Sequence, residues 1–100
     1  MGFNDTIRLP GSIKIAGVTY KVIRETMADQ GNIMFSRGVI KLNDDLCQDK
    51  AEETLCHEIV EAINEANELE LPHPKIQMIG SMLHQILKDN DLSLMYYDGG

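Results

Sequence analysis

Asp49 to Glu70 reads DKAEETLCHEIVEAINEANELE, and the reading of this stretch decides the fold. It holds no proline or glycine, and Leu55, Ile59, Ala62, Ile63 and Ala66 recur at 3.6-residue spacing. One amphipathic helix over 49–70 is therefore predicted, with that stripe packed on a sheet. Asp49 followed by Glu52 has the form of an N-terminal capping box. Leu71-Pro72-His73-Pro74 ends the element, and Pro74 suits the first position of the next helix, where a missing N–H costs nothing. That second helix is expected over 74–89, burying Ile76, Ile79, Leu83, Ile86 and Leu87.

Upstream the period changes. From Ile7 to Asn43 short extended runs alternate with glycine punctuation. Ser12–Ile15 and Val18–Arg24 flank Ala16-Gly17, and Ile33–Ser36 and Val39–Asn43 flank Arg37-Gly38, so two tight hairpins are expected over 7–43. Alternation in KVIRE and VIKLN predicts one covered and one wet sheet face. Thr26–Asn32 fits a loop or a helical turn equally. A last strand is expected over 92–97, with a loose end at Asp98-Gly99-Gly100. The fold class is α+β: antiparallel hairpins packed on two C-terminal helices, as a single domain over 1–100.

The totals set bounds. One hundred residues with 43% hydrophobic content supply one modest core. A formal charge of -7, with much of the acid between Asp44 and Glu70, disfavours nucleic acid and anionic membranes as partners and favours a cationic or metallic one. No run approaches the roughly 18 apolar residues of a membrane span, and MGFNDTIRLPG lacks the blocks of a secretion signal. The expected compartment is the cytoplasm. There the two cysteines, Cys47 and Cys56, stay thiols.

The pattern richest in chemistry is His57-Glu58-Ile59-Val60-Glu61. Residues four apart on a helix face the same way, so His57 and Glu61 can offer an imidazole and a carboxylate to one cation, the spacing that HExxH uses for zinc. Glu58 would then be the general base, acting on water that the metal acidifies. A third ligand is needed. If the helices turn back near Leu71–Pro74, His84 comes level with the His57–Glu61 turn, while His73 lies roughly 15 Å along the axis unless the first helix ends early. His73 is held stiffly between prolines, and His73, Gln77, Gly80 and His84 share one stripe beside the apolar face, Gly80 leaving room.

Plainer readings exist for each residue. His57, Glu61, Asn64, Glu65 and Glu68 lie opposite the apolar stripe, as on any helix with a solvated outer face. Shuffled versions of this composition contain H-E-x-x-E in roughly a few per cent of cases, so the pattern leans on its context. His73 can simply start a helix, and His84 can be a satisfied flank residue. Cys56 sits about 100° round the helix from His57, too far for that histidine to serve it as a base, and suits a small buried hydrophobe better than a nucleophile. The glycines show no phosphate-binding spacing.

TLCHEIVEAINEANELELPHPKIQMIGSMLHQILKDN, Thr54 to Asn90, resembles small phage- and prophage-encoded zincin-like proteins, minimal relatives of the SprT-like and ImmA/IrrE metallopeptidases. HEIVEAIN, LPH and QILKDN carry the likeness. It implies a zinc-dependent metallopeptidase-like hydrolase with an HExxE motif, a hairpin sheet against an active-site helix, His57 and Glu61 as metal ligands and Glu58 as base. It also puts His73 among the ligands, and it implies a peptide substrate or host protein partner in the host cell cytoplasm. The chain departs from the wider group at Glu61, where histidine is usual, and has no acidic residue between Pro74 and Lys88.

Two other functions fit the residues. One is a non-catalytic acidic phage protein whose first helix faces a basic surface of a host protein. The other is a closed structural metal site that uses both His73 and His84.

Overall fold

The computed structural model describes residues 7–92. Four strands come first: β1 (Ser12–Ile15), β2 (Val18–Glu25), β3 (Gly31–Met34) and β4 (Val39–Asn43). Two helices follow, α1 (Gln48–Asn67) and α2 (His73–Asp89). The α+β class and the order of elements are as expected. The expected last strand over 92–97 lies, beyond Leu92, outside the described residues.

Ala16 and Gly17 both have positive φ, 51° and 83°. This is the backbone of a two-residue turn whose twist matches its strands, and it sets β1 antiparallel to β2 with Ile15 opposite Val18. The second hairpin uses a four-residue loop, Phe35–Gly38, in place of a two-residue Arg37-Gly38 turn. Gly38 closes it at φ 64°, its N–H donating to Met34 O at 3.0 Å.

The hairpins meet in a way that local reading did not supply. The sheet order is β1-β2-β4-β3, and β2 pairs with β4 in parallel, Lys21 opposite Val39 and Glu25 opposite Asn43. The sheet is therefore mixed, with β3 on its outer edge. Segment 26–30 is a loop that carries the chain past β4 to that edge. Asn43 Nδ2 staples it by donating to Met27 O and Asp29 O at 2.9 and 3.1 Å.

One sheet face is covered. Ile15, Tyr20, Ile40 and Leu42 pack there against Leu55, Ile59 and Ala62 of α1, so the first part of the predicted helix stripe meets the sheet, whereas Ile63 and Ala66, also expected inside, lie beyond its edge and are exposed. Burying these side chains supplies the main stabilisation, about 25 cal/mol per Å² of apolar surface. Gly31 marks the closest approach: a Cβ there would stand 2.7 Å from Thr54 Cγ2.

α2 departs from expectation. It packs on α1 alone and touches no strand among the described elements. Ile76, Gly80 and His84 are its buried residues, whereas Ile79 and Ile86, expected inside, are exposed, and Leu83 and Leu87 are half-buried. The narrow side of the helix, not its apolar side, fits against α1.

The start and end of α1 also differ. Its N-cap is Cys47, which makes no side-chain capping bond, so Asp49 and Glu52 do not form a capping box; both carboxylates turn to α2. The helix stops at Asn67, three residues short of the predicted end. Glu68 adopts φ 49° and Glu70 φ 56°, and Leu69 N–H donates to Asn64 O at 3.1 Å in a left-handed helix-ending turn. Asn64 Oδ1 accepts from Leu71 N–H at 2.9 Å and fixes the exit. No helix among the described residues is long and apolar enough to cross a membrane.

Candidate functional site

The early end of α1 sets the register between the helices. The connection is centred about a turn closer to α1 than a bend at Leu71–Pro74 would put it, so α2 slides along α1. Gly80 then lies against His57, Ser81 against His57 and Glu53, His84 against Glu52, and Lys88 against Asp49. At the other end His73 reaches Glu61, Nδ1 to Oε2 3.7 Å.

These contacts form two depressions. The first is a cleft of about 370 Å³ between the start of β3, α1 and α2. His57, Glu58, Glu61 and His73 all line it, with Gln30 and Gly31 on the β side and Gln77 from α2. Four of the five residues singled out from the sequence are thus brought to one cavity. His84 is not among them. It lines a second depression with Asp49, Glu53 and Lys88, its Nε2 3.3 Å from Glu52 Oε1 and 3.5 Å from Asp49 Oδ1.

Glu58 is 9% exposed, and its carboxyl makes no hydrogen bond with another described residue. Burial, with the neighbouring Glu61 charge adding to it, pushes its carboxyl up to about 7. Such a group takes and returns protons at neutral pH.

His57 is oriented by a relay. Ser81 has one hydroxyl proton, which it donates to Glu53 Oε2 at 3.1 Å. Its oxygen therefore accepts from His57 Nε2–H at 3.2 Å. In the neutral ring the lone pair is then left on Nδ1, the nitrogen open to a further partner. Burial acts to raise the Glu53 carboxyl, but hydrogen bonds from Lys50 and Ser81 outweigh it and hold it below the usual range.

The donor set of the cleft suits a divalent ion of borderline softness: two imidazoles and a carboxylate. Two ligands on one tetrahedral zinc, each ~2.0–2.1 Å from it, stand ~3.4 Å apart, close to the separation of His73 from Glu61. The side chain of His73 is 67% exposed and free to adjust. His57, Glu61 and His73 are not themselves gathered to within 4.8 Å. The trio that is, among the described residues, is Asp49, Glu52 and His84. A cation is already at that second place, since Lys88 Nζ lies 2.7 Å from Asp49 Oδ1.

The Glu53–Ser81–His57 relay and the Asp49–Glu52–His84 group were not read from the sequence. Their signal was present as carboxylates three and four apart on α1 facing Ser81, His84 and Lys88 at like spacing on α2, but it becomes visible only with the register known. Cys56 is buried, as expected of a small hydrophobe. Comparison with protein-family models, with curated proteins and with solved structures returned no match.

Proposed function

We propose that this chain is a zinc-dependent, zincin-like hydrolase acting on peptides, with the cleft beside β3 as its active site. The observation that carries the reading is the meeting of Glu61 and His73 at 3.7 Å on a cleft that also holds His57 and the carboxyl of Glu58, which has no partner among the described residues. His57 Nδ1, the Glu61 carboxylate and His73 would hold the ion. When bound, zinc supplies Lewis-acid chemistry, polarising a carbonyl and acidifying water. Glu58 would serve as the base there, and Ser81 with Glu53 keeps the His57 ring in one tautomer.

The position of β3 supports a peptide as substrate. It is an edge strand, so one row of its backbone groups is free of the sheet, and its first residue, Gly31, lines the cleft. An extended peptide can pair with such an edge and bring its own carbonyl to the site. The resemblance of Thr54–Asn90 to phage-encoded zincin-like proteins points the same way.

The test is zinc stoichiometry of protein purified without chelator, combined with hydrolysis of a peptide library. About one zinc per chain is expected, lost in His57→Ala, with cleavage abolished in Glu58→Gln while zinc is retained. Native protein that takes up no zinc and cleaves nothing would overturn the proposal.

A second reading has its own observation, the convergence of Asp49, Glu52 and His84. An ion there would tie the first turn of α1 to α2 without turnover, and the acidic helix would act by binding a basic partner. Zinc lost in His84→Ala but kept in His57→Ala selects this reading.

A further inference from the structure

α2 carries a second surface on the side turned away from α1. Met78, Ile79, Met82 and Ile86 are 55, 41, 50 and 50% exposed, and with Leu83 they line a shallow groove of about 310 Å³. Aliphatic side chains gathered on one helix face of so small a chain mark a contact surface more than chance exposure does.

The charges on the same stripe indicate what covers it. At about 100° per residue, Lys75, Met82 and Asp89, each seven apart, fall on one line through the middle of the apolar face. Lys75 lies in the first turn of α2 and Asp89 at its end. Each is at the unfavourable end of the helix dipole. Neither forms a salt bridge or a side-chain hydrogen bond with another described residue.

Turning the stripe end for end about Met82 puts Lys75 opposite Asp89 and Met78 opposite Ile86, so the face is complementary to itself. We propose that α2 docks antiparallel on α2 of a second copy, about a two-fold axis at Met82, with two Lys75–Asp89 ion pairs flanking a Met/Ile seam. The antiparallel arrangement also sets each helix dipole against its opposite. The net charge of -7 opposes association only weakly here, because the acid is concentrated between Asp44 and Glu70, away from this face. His73, Gln77 and Gly80 lie on the other side of α2, so the cleft stays open in the dimer, and the inference stands apart from the metal reading.

One helix per copy buries less than the ~800 Å² per partner of a standard interface, so the dimer is reversible. Sedimentation equilibrium of the full chain from about 10 µM to about 1 mM covers the expected range. The mass should rise towards twice that of one chain. Met82→Glu, on an exposed site and therefore still folded by circular dichroism, should stay monomeric. Lys75→Glu or Asp89→Lys alone should weaken association about tenfold, and the two together should restore it. In a Cys47→Ser background, Met82→Cys should oxidise to a covalent dimer. A monomer throughout the range, a dimer indifferent to Met82→Glu, or a double reversal no better than the single ones would each overturn the proposal.

Discussion

Gly80 stands so close to His57 that a Cβ on it would lie 2.9 Å from the histidine Cα and 3.1 Å from its Cγ. An exposed helical glycine changed to alanine gains about 1 kcal/mol from propensity. Here the added methyl meets backbone, which cannot move without parting α1 from α2, and overpacking of that kind costs about 1–3 kcal/mol or more. Gly80→Ala should therefore lose about 1–2 kcal/mol in urea denaturation, while a gain in stability would show that the helices do not meet at this point.

His73 and His84 should differ in zinc affinity. His73 adjoins Glu61 in the cleft, and His84 is engaged with Glu52 and Asp49 elsewhere. By isothermal titration, His73→Ala should weaken zinc binding at least about 100-fold and His84→Ala by less than about tenfold. The reverse order would move the metal to the second depression.

Glu58 should make the metal-free protein less stable as pH rises. Burial raises its pKa from the ordinary 4.5 to about 7. Between those values the folded state binds more protons than the unfolded one, so unfolding free energy falls with rising pH; the full penalty is present above about 7 and is relieved below 4.5. In chelator, thermal midpoints followed from pH 4.5 to 8 should decline more steeply for the wild type than for Glu58→Gln. Parallel curves would contradict this.

The two thiols should react unequally. Cys47 is exposed, whereas burial and then the charges of Glu52 and Glu53 push the Cys56 thiol up to about 11. A disulfide reagent at pH 8 should modify one thiol per native chain, lost in Cys47→Ser, with Cys56 reacting only after denaturant is added. Two fast thiols in native protein would show that the packing around Cys56 opens readily.

Part of the site was legible one residue at a time. His57, Glu58 and Glu61 follow from helical spacing, and they do line one cavity. Which of His73 and His84 shares the cleft with His57 and Glu61 was not legible in this way, because it depends on where α1 stops. Two glutamates in left-handed backbone end it, and glutamate gives no local signal for that conformation as glycine would. The parallel pairing of β2 with β4 was hidden for a related reason: each hairpin is specified by its own turn, but nothing within a hairpin says which of its edges the other will meet.

Sequence alone determined the elements that depend on neighbours a few residues away: the Ala16-Gly17 turn, the helical periods of α1 and α2, the proline break between them, and the placing of His57 and Glu61 on one helix face. Tertiary structure decided what depends on long-range packing. Periodicity states that α2 has an apolar face but not which way that face points. The close fit of Gly80 on His57 turned it outward, brought His73 to Glu61, and drew His84 to Glu52. Local backbone preference acts over a turn or two, whereas the register of two packed helices is settled by which side chains leave room for close approach.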